Sequence, residues 1–328
     1  MEKILVIGGG GFLGRHVVRR LLAGGREVRV FGRHVYPALQ ALGVECVVGD
    51  LEDTEALRRA CDGCAAVCHM AAKVGISGRF TEYFRTNVSG TRNVLDACLA
   101  AGVPRLVYTS TPSVVFGRGD LAGGDESLPY PPRFLTAYAA TKARAEQMVL
   151  RANSPELATC ALRPHLIWGP GDTNLIPRIC QKARAGRLVR IGDGKNLVSV
   201  SYVENTAAAH LAALEHLRPG AACAGKAYFI NEPEPVNCWD FLGRILQTLD
   251  LPPIRRRIPA LPAYALGAVV EAAGRLFRPG WEPPVTRFLA LQLSKSHWFS
   301  PAAAMRDLEW KPEISIDDGL RRLKADMA

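Results

Sequence analysis

Three glycines, Gly8, Gly11 and Gly14, stand at G-x-x-G-x-x-G spacing directly after an apolar run, Ile4 to Ile7, and directly before a segment of helical spacing, Phe12 to Leu22. A strand that ends in such a turn and restarts as a helix leaves few folds open. A side chain at these positions would block the tight turn, the approach of a pyrophosphate, or helix–strand packing. The helix start, at Phe12 and Leu13, offers free N–H groups and the positive end of the helix dipole to phosphate.

The pattern continues along the first half. Val28 to Phe31, Val44 to Val48, Ala66 to Met70, Leu106 to Thr109 and Ala158 to Leu162 read as strands. Between them lie helical segments: one from an N-cap at Thr54 through Ala60, one from Asn87 to Ala101, one from Thr136 to Arg151. Strands alternating with helices predict an α/β fold with a doubly wound parallel sheet. From about residue 165 prolines and loops increase, so residues 1–165 are expected to form the dinucleotide-binding domain and 166–328 a smaller C-terminal α/β substrate lobe, with some segments returning to the sheet.

Composition excludes other classes. Of 328 residues, 48% are hydrophobic and 22% charged, which is globular and not disordered. The net charge is +10, but the basic residues are dispersed apart from Arg255-Arg256-Arg257, and no nucleic-acid motif surrounds them. Nine cysteines, an odd number, read as reduced thiols in the cytoplasm. Cys61, Cys64, Cys68 and His69 have a metal-like spacing, yet Cys68 and His69 would point to opposite faces of one strand, so no metal is expected. The uncharged run Ile258 to Val270 is too short to span a bilayer.

Two features carry chemistry. Tyr138 and Lys142 form Y-x-x-x-K on a predicted helix, which puts both on one face, one turn apart. A nearby ammonium lowers the pKa of a phenol and suits it to proton transfer. At the end of the fifth strand, Thr109-Ser110-Thr111-Pro112-Ser113 clusters hydroxyls where ligands bind in open α/β sheets. Beyond the second strand the chain reads Gly32-Arg33, with no carboxylate to repel a ribose 2′-phosphate and an arginine able to pair with one. The preferred cofactor is therefore NADP, with NAD the second candidate.

Val6 to Gly14, Asn87-Val88-Ser89-Gly90-Thr91, Leu162 to Asp172 and the closing Trp310-Lys311-Pro312 resemble the extended short-chain dehydrogenases, and more narrowly their 3β-hydroxysteroid dehydrogenase branch. Ile7 stands where that family usually has threonine. The resemblance implies cofactor contacts at Asp50 and Leu51 after the third strand, at Ala71 and Ala72 after the fourth, and at Lys142 and Pro164. It implies that Thr111, with Ser113 as rival, holds the substrate carbonyl beside Tyr138.

Within the branch, Tyr36 to Gln40, Thr109 to Val114 and Gly225 to Ile230 are most similar to bacterial reductases of 2-alkyl-3-oxoalkanoates in olefin biosynthesis. That implies reduction of a C3 ketone, with hydride from NADPH and the proton from Tyr138. The alternative is a 3β-hydroxysteroid or sterol-4-carboxylate 3-dehydrogenase. Sugar-nucleotide epimerisation and a non-catalytic nucleotide-sensing subunit rank lower. The expected partner is a lipid-like small molecule and not nucleic acid, and the further candidates are a second copy in a homodimer or other enzymes of the pathway. Arg255 to Phe277 is expected to form an amphipathic lid or surface helix through Leu261, Tyr264, Leu266, Val269, Val270, Leu276 and Phe277. Its charged face would carry Glu271, Arg275 and Arg278, and it would make peripheral contact with the inner face of a membrane.

Overall fold

The computed structural model describes residues 2–75, 78–277 and 285–327. Its centre is a seven-stranded parallel sheet. The strands are β1 (Lys3–Ile7), β2 (Glu27–Gly32), β3 (Glu45–Val48), β4 (Ala66–His69), β5 (Arg105–Thr109), β6 (Ala158–Pro164) and β7 (Ala227–Ile230). They lie in the order β7-β6-β5-β4-β1-β2-β3. The winding direction reverses between β1 and β4, and such a switch point opens a crevice at the carboxyl ends of the strands.

Alternation along β1 explains the two-sided core. Ile4 and Val6 point into one apolar layer, with Val17, Val18 and Leu21 of α1 (Phe12–Ala23). Leu5 and Ile7 point into the other, with Leu57 of α2 (Thr54–Cys61), Val94 and Leu95 of α3 (Gly90–Ala100) and Ala145 and Val149 of α4 (Ala137–Arg151). Helix α5 (Val203–His216) comes from the second half of the chain and closes the first layer through Val203, Ala207 and Ala213.

Two local expectations are corrected. The N-cap of α2 is Asp53, whose Oδ1 accepts from the Ala56 amide at 2.9 Å, and Thr54 is the first helical residue. The segment expected as one helix from Asn87 enters through a π-helical turn, Arg85–Ser89, before α3.

The lobe is built on a four-stranded mixed sheet in the order Val236–Asn237, Leu197–Val198, His297–Phe299, Leu121–Gly124. Helices α6 (Cys238–Thr248), α7 (Ala260–Phe277), α8 (Arg287–Ser294) and α9 (Ile316–Met327) pack around it. Helix α7 begins at Ala260, and Gly267 lets it cross the start of α8: a Cβ there would lie 2.6 Å from the Thr286 carbonyl carbon. Glu271 does not face solvent as one of a charged row; it bonds the Arg287 amide at 2.7 Å and its Nε at 2.8 Å. The expectations for the side chains of Arg275, Leu276 and Phe277, and for Arg278, lie outside the described residues.

Candidate active site

The glycine turn sits in the crevice between β1 and β4. Gly8 adopts φ +88°, and a Cβ on it would lie 2.9 Å from the Ala71 amide nitrogen. Ala71 is drawn there because its N–H donates to the Ile7 carbonyl at 3.1 Å. At Gly14 a Cβ would stand 2.3 Å from the Gly8 carbonyl oxygen. The turn therefore closes on itself through backbone. No side chain caps α1 at Gly11, so the first amides of the helix, at Phe12 and Leu13, have no capping side chain and no partner within the helix. This cradle fits a pyrophosphate.

The groups expected around the adenosine end take separate places. Arg33 is exposed just past β2 and makes no hydrogen bond or ion pair among the described residues. Tyr36 lies over the turn. Its ring is so close to Gly10 that a Cβ there would meet Cε1 at 2.0 Å, and its hydroxyl would be 2.8 Å from a Cβ on Gly32. Asp50 is exposed and accepts the Glu52 amide at 3.1 Å. Leu51 is buried under Gly90, and its carbonyl accepts from Asn93 Nδ2 at 2.8 Å.

Asn87, in the π-helical turn, ties three segments together. Its Oδ1 accepts the Lys73 amide at 2.7 Å, and its Nδ2 donates to the Lys73 carbonyl and the Thr141 hydroxyl, both at 3.1 Å. The loop of Ala71 and Ala72 is thus pinned to α4, the helix of Tyr138 and Lys142. Thr136 caps that helix by accepting the Ala139 amide at 3.1 Å.

Thr111 and Tyr138 are brought together: burial pushes the Tyr138 phenol up to about 12, against the opposing pull of the neighbouring Thr111 hydroxyl. Ser113 stands behind Thr111, its hydroxyl 3.3 Å and its amide 3.2 Å from Thr111 Oγ1.

Lys142 stands one helical turn after Tyr138. Its ammonium donates to the Tyr108 hydroxyl at 2.7 Å and the Thr109 carbonyl at 2.6 Å, and lies 4.0 Å from the Tyr108 ring centroid. Burial brings its pKa down to about 7. Nearby, the Thr91 hydroxyl donates to the Asn87 carbonyl at 2.7 Å and lies 3.0 Å from His69 Nε2. Burial and the Lys142 charge bring the His69 pKa down to about 3, so it is neutral. In the sequence Tyr108 stands only as a strand residue. The available signal was its place one residue before the carboxyl end of β5.

Cys68 packs toward the α1 layer while His69 reaches Thr91 on the other face; among the described residues no group of three His, Cys, Asp or Glu could hold a metal ion.

Behind the site Glu146 and Arg163 form a buried bidentate pair at 2.7 and 2.9 Å, with Tyr130 donating to Glu146 at 2.7 Å. Pro164 ends β6, and His165 follows it.

The switch-point turn, the Tyr138–Thr111 pair and the neighbouring lysine define an extended short-chain dehydrogenase/reductase. Residues 5–260 match the 3-beta hydroxysteroid dehydrogenase/isomerase family, and the chain belongs to that family. It is 49% identical over 328 residues, 99% of each chain, to the 2-alkyl-3-oxoalkanoate reductase of Stenotrophomonas maltophilia. It is 36% identical to the decarboxylating sterol-4-alpha-carboxylate 3-dehydrogenase of Mus musculus, over 98% of this chain and 90% of that one. Among solved structures, the Thermus thermophilus UDP-glucose 4-epimerase complex with NAD superposes with a TM-score of 0.73 at 25% identity, covering 99% of this chain and 98% of that one.

Proposed function

We propose that the chain is an NADP-dependent reductase of the C3 ketone of 2-alkyl-3-oxoalkanoates, giving the 3-hydroxy acid. The observation that carries this is the Tyr138–Thr111 hydroxyl pair past the carboxyl end of β5, in a chain colinear with a reductase of that name. Gly8, Gly11, Phe12, Leu13 and Gly14 would hold the pyrophosphate, Ala71, Ala72 and Pro164 would border the nicotinamide, and Lys142 would reach its ribose. The nicotinamide, when bound, supplies the hydride for C3. Thr111 positions the ketone oxygen, and Tyr138, kept protonated by burial, gives it the proton. Asn87 keeps the loop and the catalytic helix in register. The sterol reading rests on lower identity, 36%. The test is NADPH oxidation with a panel of 2-alkyl-3-oxo acids, keto-sterols and sugar nucleotides; turnover of sterols alone would replace this reading with the other.

Arg33 supports NADP over NAD. A charge-assisted contact to a 2′-phosphate is worth roughly 10- to 150-fold in affinity. Arg33→Ala is expected to reduce the NADPH-to-NADH ratio of kcat/KM by about that factor. Equal efficiency of both cofactors in the wild type would remove the assignment.

The reading also places the protein in the cytoplasm, touching a membrane surface peripherally. Among the described residues no helix is long and apolar enough to cross a membrane. Helix α7 nevertheless exposes Leu261 (78%), Leu266 (48%) and Val269 (66%), close in sequence to the exposed Arg255, Arg256 and Arg257. An apolar face flanked by cations suits an anionic bilayer. Sedimentation with anionic vesicles is expected at low salt and release at high salt; no binding at low salt would refute it.

A further inference from the structure

At the same end of the sheet as the catalytic pair lies a second pair of side chains that the reduction as described does not use. His165 Nε2 is 2.6 Å from His297 Nδ1, and His297 Nε2 is 2.8 Å from the Gln292 carbonyl. The carbonyl can only accept, so His297 carries its proton on Nε2. Its Nδ1 must then accept, and His165 must donate from Nε2. This leaves a lone pair on His165 Nδ1. That nitrogen makes no hydrogen bond, yet it is not among the polar atoms sealed from solvent. His165 as a whole is 7% exposed.

The fold sets this nitrogen at the reacting end of the sheet. Thr109 pairs with Leu162, and the Ser110 amide continues the pairing to the Leu162 carbonyl at 2.6 Å. Thr111 and His165 therefore leave neighbouring strands side by side. Phe116, five residues after Thr111, stacks edge-on against His297 at 5.4 Å, which joins the same loop to the dyad.

The substrate class proposed above carries a carboxylate two bonds from the C3 ketone. If Tyr138 and Thr111 take the ketone oxygen, that charge must sit close by. The nearby cations are committed: Lys142 to Tyr108 and Thr109, Arg163 to Glu146. We propose that His165, backed by His297, receives the substrate carboxylate, and that Nδ1 takes up one proton from solvent as the acid binds. The imidazolium–carboxylate contact then fixes C1 and C2, and so presents C3 to the catalytic pair. His165 is in this role a specificity-determining residue, and the inference rests on the substrate reading given above.

The free dyad is neutral, because burial, and then each ring's proximity to the other, hold the His165 pKa well below its usual value, and burial lowers that of His297. Other groups facing the dyad are the aromatic rings of Phe116 and Phe299, the Ser201 hydroxyl on the His165 backbone, and Asp120, which acts on His297 and is itself paired with Lys295 at 3.1 Å. A carboxylate raises the bound-state pKa above the free one. Between those two values the KM for the acid rises about tenfold per pH unit, and for a neutral analogue it does not.

The test uses a stable 2-alkyl-3-hydroxyalkanoic acid and its methyl ester, both oxidised with NADP⁺. The wild type is expected to prefer the acid, with KM rising with pH for the acid only. His165→Gln is expected to reduce the acid-to-ester ratio of kcat/KM by about 10- to 100-fold. Calorimetric binding of the acid to the wild type with NADPH present, in buffers of different ionisation enthalpy, should show uptake of about one proton. That measurement decides the matter even if the variant does not fold. Equal use of acid and ester, or binding without proton uptake, would overturn the role of His165 and leave the substrate reading standing. Turnover of neither compound removes the substrate reading and this inference with it.

Discussion

Tyr138→Phe is expected to lower kcat by about 10²- to 10⁴-fold, the range for losing a positioned proton donor, while NADPH still binds. The site explains the separation of the two effects. Thr136 caps the helix two residues earlier, and Asn87 holds Thr141 from the other side, so the backbone that carries residue 138 does not depend on the phenol oxygen. The glycine turn lies on β1 and α1, away from that oxygen. Thr111 keeps Ser113 as a hydroxyl neighbour when the phenol is gone. Burial holds the Tyr138 pKa up at about 12, so near neutrality the residue carries the proton that reduction consumes. Single-turnover kinetics with NADPH, together with fluorescence titration of the cofactor, checks both halves. Near-wild-type turnover would move the acid elsewhere.

The second large effect concerns stability. Glu146→Ala is expected to destabilise the fold by about 3–5 kcal/mol, read as a fall in the urea midpoint at unchanged slope. Glu146 and Arg163 side chains are 0% and 4% exposed. Removal of the carboxylate leaves the guanidinium buried without its charge partner, and its Nη1 is already without a hydrogen bond. Tyr130 loses its acceptor as well. The ring faces of Phe229 and Tyr130, 5.2 and 5.9 Å from the guanidinium, attract the cation but cannot accept its N–H groups in plane. Removing Glu82, which pairs with Lys73 at the surface at 2.9 Å, is expected to cost under about 1 kcal/mol, and serves as the comparison.

The parts of this molecule that could be read from the chain are those governed by local rules. Alternating strands and helices announced the sheet, and helical spacing put Tyr138 and Lys142 on one face. What escaped depended on partners distant in sequence. Nothing near Lys142 says that Tyr108 will hold its ammonium, because the two meet only when β5 and α4 pack. His165 and His297 are separated by 132 positions and meet only where the lobe sheet abuts the end of β6. The lobe strands are as short as two residues, too brief for periodicity to mark. The misplaced α2 cap came from a choice between neighbours: Asp53 and Thr54 are both good caps, and the backbone decided between them.

Strand β7 closes the sheet by pairing with β6, yet it lies at residues 227–230 while β6 ends at residue 164. During synthesis the ribosome must add the 66 residues from Pro164 to Ile230 before that edge can be covered. At about 5–20 residues per second this leaves an open strand, with five of its seven residues apolar, for roughly 3–13 s. Unpaired strands of this kind recruit other chains. The nascent protein therefore passes through an interval in which its most finished-looking half is also its most adhesive, and a chaperone that shields β6 until Ala227 emerges would raise the yield of native protein more than one acting on the completed chain.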